Sequence, residues 1–187
     1  MKKTLLALII IGLPLVATAE QDMAQLTAEG KGVIKSFFGD LKGELVKGMK
    51  EGGPVHTINV CNKVAPSLSE AHSQMSGWQV ARTSLKPRNP ANAPDAWETQ
   101  VLNDFEARKA AGEDPMQIVK TEIVEENGHK VFRMMKAIPT AEVCTKCHGV
   151  DLAPAVVEKL DELYPEDQAR GFKVGDLRGA FTLKKTL

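Results

Sequence analysis

The chain has 187 residues with equal numbers of basic and acidic side chains, 24 of each. That balance excludes the strongly basic composition expected of a nucleic-acid or anionic-lipid binder. Its length suits a single domain with a real core. Beyond the N-terminus no stretch is apolar enough to cross a bilayer.

The chain opens with Lys2 and Lys3, followed by a run of about a dozen apolar residues at 5–16. This run is too short for a spanning helix, and Ala17-Thr18-Ala19 reads as a small-residue cleavage site. The expectation is an export signal at 1–19, with Glu20 as the first mature residue and a periplasmic location. Cleavage leaves a net charge of about −2.

From Met23 to about Lys50, apolar residues recur at three- and four-residue spacing, which predicts an amphipathic helix weakened by four glycines. Gly52-Gly53-Pro54 stops it. A second helix follows from Val55 to Ala65, with Ile58, Cys61, Val64 and Ala65 on one face. Pro66 need not end it if a new turn opens through Ser69.

Trp78 to Leu85 reads as a strand. A proline- and asparagine-rich loop leads to Asp95, which caps a helix from Ala96 to about Ala111 striped by Trp97, Val101, Leu102 and Phe105. Ile118–Glu125 and Lys130–Ile138 flank Asn127-Gly128 as a hairpin. Ala155–Leu163 is a short helix, and Ala180–Leu183 a last strand. The order predicts an α+β domain with a small antiparallel sheet.

Between the hairpin and that short helix stands Cys144-Thr145-Lys146-Cys147-His148, the attachment signature of a c-type haem. On one helical turn the two thiols lie on the same face, each able to add to one vinyl group of a porphyrin. The imidazole one residue later is placed as the proximal iron ligand. Covalent attachment of haem occurs outside the cytoplasmic membrane, so the motif and the export signal support one another. The motif predicts one covalent haem c.

The chain has three cysteines, and the motif uses two. Cys61 is left over, and an odd thiol in an exported chain needs a role. It is a buried inert thiol, an intermolecular bridge or an iron ligand. Candidates for the distal position are Cys61, the histidines His56, His72 and His129, and the methionines Met49, Met75, Met134 and Met135. The histidines read as surface groups and the methionines as core. Arg82 and Arg88, in the basic loop with Lys86, are candidates to meet the propionates, with Arg178 a weaker one. Trp78 and Trp97 read as core, and Asp95 and Asp176 as cap or turn residues.

Several segments in one order carry a resemblance: Val60-Cys61, Gly77-Trp78, Arg82-Thr83-Ser84-Leu85-Lys86-Pro87-Arg88-Asn89-Pro90, Asp95-Ala96-Trp97-Glu98, the haem motif with Gly149, and Gly175-Asp176-Leu177-Arg178-Gly179-Ala180. The chain resembles small exported c-type haem domains with a PAS-like fold, found alone or as the sensing part of membrane-bound histidine kinases. The resemblance implies a PAS-like sheet flanked by helices and preceded by a long N-terminal helix. It also implies haem ligation by His148 on one side and Cys61 on the other. The domain division expected is 1–19 signal, 20–52 helical segment and 53–187 haem domain. The long helix either packs on the domain or pairs with a second copy as a homodimer.

The function expected is electron transfer or redox or gas sensing, with a redox partner or sensor protein as its partner. No transmembrane helix or kinase follows the last strand, which speaks against direct signalling by this chain. One rival is an enzyme acting on small sulfur compounds such as thiosulfate. The other is a zinc site built from Cys61, Cys144, Cys147 and His148.

Overall fold

The computed structural model describes residues 15–187, with side chains from Met23 onward. The export signal read at residues 1–19 lies outside the described side chains. Helix α1 (Leu15–Ser76) folds back on itself at Gly52 and Gly53. Gly53 adopts a φ of 69° and a ψ of −164°, a conformation that residues with a Cβ rarely take. The two arms, 15–51 and 54–76, then run antiparallel. His72 Nε2 meets Asp40 Oδ2 at 2.8 Å, and the His72 ring lies 5.4 Å from that of Phe37. Near the bend the arms approach so closely that a Cβ on Gly48 would sit 3.0 Å from Thr57 Oγ1.

The second arm runs on to Ser76, well beyond the predicted end at Ala65, and carries Pro66 inside it. Proline removes one backbone donor there, but packing of the arm against its neighbours outweighs that single bond.

The sheet has the order β1-β4-β3-β2, antiparallel throughout. Its strands are β1 (Gln79–Thr83), β2 (Val119–Glu126), β3 (His129–Pro139) and β4 (Leu177–Thr186). β2 and β3 join through Asn127 and Gly128, both with positive φ (54° and 79°), as the sequence pair predicts. β1 is shorter than the predicted run. Trp78 is buried in the core, and pairing ends where Ser84 Oγ donates to the Arg178 carbonyl and accepts from Lys86 N–H. β4 starts earlier than predicted, beside a register shift at Ile138 and Pro139.

Alternation along β3 divides the core between two faces. Phe132 and Met134 pack with Ile34 and Phe37 of α1 and with Trp78. Met135 and Ala137 face the other way, against Val101, Leu102 and Phe105 of α2 (Ala96–Ala110). Each large side chain so buried contributes about 1.5–3 kcal/mol. Gly30 lets α1 lie directly on the sheet, because a Cβ there would come within 2.7 Å of Met134 Sδ. The helical segment therefore shares a core with the sheet.

Asp95 caps α2 through a capping box with Glu98, as its position predicts. A single turn, α3 (Thr145–His148), follows a 3₁₀ turn at Glu142–Cys144. Helix α4 (Pro154–Leu163) then packs Val156 and Leu160 on Ile58 of the second α1 arm. The bend in α1, the cysteine-rich turn and α4 thus gather at one end of the sheet.

Candidate functional site

The residues around α3 are fixed by backbone bonds before any side-chain chemistry begins. Cys144 N–H donates to the Ala141 carbonyl at 2.9 Å, and Gly149 N–H donates to the Thr145 carbonyl at 2.9 Å. A Cβ at position 149 would collide with that same carbonyl, so the turn requires glycine after the histidine. The 169–172 segment clamps the turn from outside. Phe172 N–H donates to the His148 carbonyl at 2.9 Å, and Gly171 N–H to the Gly149 carbonyl at 3.0 Å.

Arg88 completes the clamp. Its Nη2 donates to the carbonyls of Cys147 at 2.6 Å and Ala169 at 3.1 Å. Its Nε donates to Asp167 Oδ1 at 3.1 Å, and the Asp167 side chain is 1% exposed. Burial works to raise the Asp167 carboxyl, but hydrogen bonds from Arg170 and Arg88 outweigh it and hold it below the usual carboxylate range. The Arg88 guanidinium is thereby committed to protein acceptors.

Facing this clamp is a cavity of about 430 Å³, within the ~300–1,000 Å³ typical of small-molecule sites. Both arms of α1 wall it with apolar side chains, among them Phe38, Leu41 and Leu45. Cys144, Cys147 and His148 line one side, and Cys61 lines it from α1. All three cysteines are free thiols. Of the other distal candidates only Met49 reaches this cavity. His56 and His129 are exposed, Met75 is 73% exposed, and Met134 and Met135 are wholly buried in the sheet core. His72 is not the surface group that its polar neighbours suggest. It is buried between the arms of α1 against Phe37 and Asp40.

His148 is half-buried, and its Nδ1 lies 2.8 Å from the Ala169 carbonyl. As an N–H donor to that oxygen, Nδ1 leaves Nε2 with a free lone pair, the arrangement that a hydrogen-bonded carbonyl imposes on metal-binding histidines. Burial first, then the charges of Arg178 and Arg88, push the imidazole well below its usual range, so the ring is neutral.

The thiols are raised in the same way. Burial raises Cys61 against the opposing charges of Arg82 and Arg88, and burial raises Cys147 against Arg88. Tyr164, at the same wall, is raised by burial too.

Three arginines converge on this cavity. Arg88 is tied down as described. Arg82 lies on β1, where its side chain has no hydrogen bond or ion pair among the described residues, and burial lowers its guanidinium. Arg178, on β4, reaches only neutral groups, and burial with the neighbouring Arg88 and Arg82 brings it down to about 10. One wall thus holds an excess of positive charge, suited to an anionic group. Among the described residues no three His, Cys, Asp or Glu side chains converge tightly enough to hold a single metal ion. Cys61, Cys144, Cys147 and His148 share a cavity without forming a zinc-like cluster.

Sequence reasoning underrated Arg178 and overlooked Tyr164. The glycines around Arg178 marked a special backbone, and that was the only available signal. Tyr164 gave none, because its approach to Cys61 depends on how α4 docks.

Fold and site together define a PAS-like α+β domain: a long helical hairpin and a four-stranded antiparallel sheet, with a thiol- and arginine-lined cavity at one end. A family model described as "Tll0287-like: Tll0287" matches residues 15–185. The chain belongs to this Tll0287-like family. Among solved structures it is similar to one described as "Crystal structure of the cyanobacterial heme-protein Tll0287". The TM-score is 0.59 at 26% identity, with 89% of this chain and 94% of that chain covered. No curated protein matches.

Proposed function

We propose that this chain is an exported mono-haem c-type protein that carries electrons or senses redox state or a small gas. The observation that carries the reading is that Cys61, Cys144, Cys147 and His148 all line one cavity, with His148 Nδ1 2.8 Å from a backbone carbonyl. Membership of the family and similarity to a protein described as a cyanobacterial heme-protein support a haem in that place.

Bound there, a haem supplies a one-electron ferric/ferrous couple. Cys144 and Cys147 would hold it by thioether bonds, from a turn already clamped to the 169–172 segment. His148, with Nδ1 beside the Ala169 carbonyl, and Cys61 on α1 would be the side chains that ligate it. Burial raises the free Cys61 thiol in spite of Arg82 and Arg88, and coordination to a metal would be what deprotonates it. A thiolate donor favours the ferric state and sets a low potential. Phe38, Leu41 and Leu45 offer the apolar wall that a porphyrin needs. For the propionates Arg82 offers an unpaired guanidinium, whereas Arg88 lends charge from a position fixed by Asp167.

The division of the chain that goes with this reading is a cleaved signal at 1–19, a helical arm at 20–52 and the haem domain at 53–187. The location is periplasmic, and the partner is a protein redox donor, acceptor or sensor.

The test is the ferric spectrum of the matured protein and of its Cys61→Ser variant. The wild type is expected to show low-spin iron with a sulfur-to-iron charge-transfer band. The variant should keep its covalent haem, lose that band and rise in potential by more than the 59 mV that marks a tenfold change for one electron. An unchanged spectrum and potential removes Cys61 from the iron. Gas sensing has its own check: the reduced protein should take up carbon monoxide, and one that stays six-coordinate and ignores it is an electron carrier only.

A further inference from the structure

Behind the His148 ring two groups compete for one nitrogen. Nδ1 lies 2.8 Å from the Ala169 carbonyl and 3.2 Å from Arg178 Nε. A carbonyl only accepts and a guanidinium only donates, so Nδ1 satisfies one of them at a time. A ring that gives its Nε2 lone pair to a metal keeps its proton on Nδ1 and donates it to the carbonyl. Arg178 then stands with its positive charge against the N–H pole of the imidazole.

The fold holds it in that place. Arg178 Nη1 donates to Ser84 Oγ at 3.0 Å and to the Lys86 carbonyl at 3.3 Å. The guanidinium carbon lies 5.3 Å from the centre of the Phe172 ring. The neighbouring Gly179 has a φ of 152° and packs its backbone against the Thr83 carbonyl, which fixes where β4 begins. The attachment of β4 to the 84–86 loop does not need this side chain, because Ser84 Oγ also donates to the Arg178 carbonyl at 2.8 Å.

A carbonyl alone at Nδ1 drives a ligating histidine toward imidazolate character and makes it a stronger donor. Resting on the haem reading of the cavity, we propose that Arg178 is a positioning residue for the proximal ligand. Its fixed positive charge behind Nδ1 draws electron density away from Nε2, limits the donor strength of His148, and raises the potential of the bound haem above what histidine and thiolate alone would set.

The test is a potentiometric titration of matured wild type, Arg178→Gln and Arg178→Lys. The glutamine variant should fall by at least 59 mV, a tenfold change in the one-electron equilibrium constant. The lysine variant, which keeps the charge, should recover at least half of that fall. A glutamine variant at the wild-type potential, or a lysine variant that falls as far as glutamine, overturns the proposal. Should the glutamine variant mature without haem, Arg178→Met takes its place, since it removes the charge and keeps a long side chain. A lowered potential then supports the proposal, and an unchanged one overturns it. A matured wild type with no covalent haem defeats the haem reading and this inference together, a result distinct from a loaded protein whose potential ignores position 178.

Discussion

Arg82, near the end of β1, and Arg88, in the loop after it, are six positions apart in a basic stretch, yet their circumstances differ. Arg88 bonds two carbonyls and the buried Asp167, while Arg82 has no protein partner among the described residues. Opposite consequences are expected on substitution. Arg88→Gln leaves Asp167 short of a partner and the Cys147 and Ala169 carbonyls unsatisfied, a loss of about 2–4 kcal/mol. In the haem-free chain Arg82→Gln removes a half-buried, unpaired charge and should leave stability within about 1 kcal/mol of wild type. Urea denaturation of the two variants checks this, and equal losses would contradict the assignment. The sequence named both arginines but could not rank them, because the ranking depends on Asp167, which arrives from 79 residues away. Cys61 was more legible. It stood out as the odd thiol on an apolar helix face, and that face does line the cavity.

At the scale of elements, most strands and helices follow from periodicity and turn chemistry. The Asn127-Gly128 hairpin and the Asp95 cap are local signals, and the structure matches them. What local signals could not provide was the return of α1 along itself. Both arms read as helices, and only the meeting of His72 with Asp40 and Phe37 shows how they pair. The burial of His72 went unread for the same reason. β4 also starts earlier than its apolar run, since its first residues are placed by the close approach of Gly179 to Thr83 rather than by hydrophobicity. Gly179→Ala combines a positive φ with a collision against the Thr83 carbonyl, and should cost about 1–3 kcal/mol or more. A thermal melt showing the alanine variant as stable as wild type would contradict the close packing of β1 on β4.

The molecule as a whole is near neutral, but its charges are not evenly used. Buried Arg133 takes Asp95, Glu98 and Glu126 on one face of the sheet, while the cavity end collects arginines around a single buried carboxylate, Asp167. That carboxylate gives the fold an acid limit. Its folded value lies below 3.8, so it adds stability at higher pH that is lost as the pH falls through 3.8 toward the folded value. Denaturation followed from pH 6 to pH 3 should show a loss at the acid end that is reduced in Asp167→Asn, itself less stable at neutral pH. Identical acid profiles would contradict the sign. Fold class, cofactor motif and odd cysteine were all legible from the amino acids. The arrangement of the cavity wall was not, because distant segments build it: both arms of α1, the end of β1 with the loop after it, the Cys144–His148 turn, Tyr164 and the start of β4.

The most direct measurement is acid–acetone extraction of the matured protein, followed by the absorption spectrum of both phases. The account predicts that the colour stays with the polypeptide at one haem per chain, and that replacing Cys144 and Cys147 together releases it. Haem that passes freely into the solvent from the wild type, or a properly matured protein with no colour at all, would contradict it.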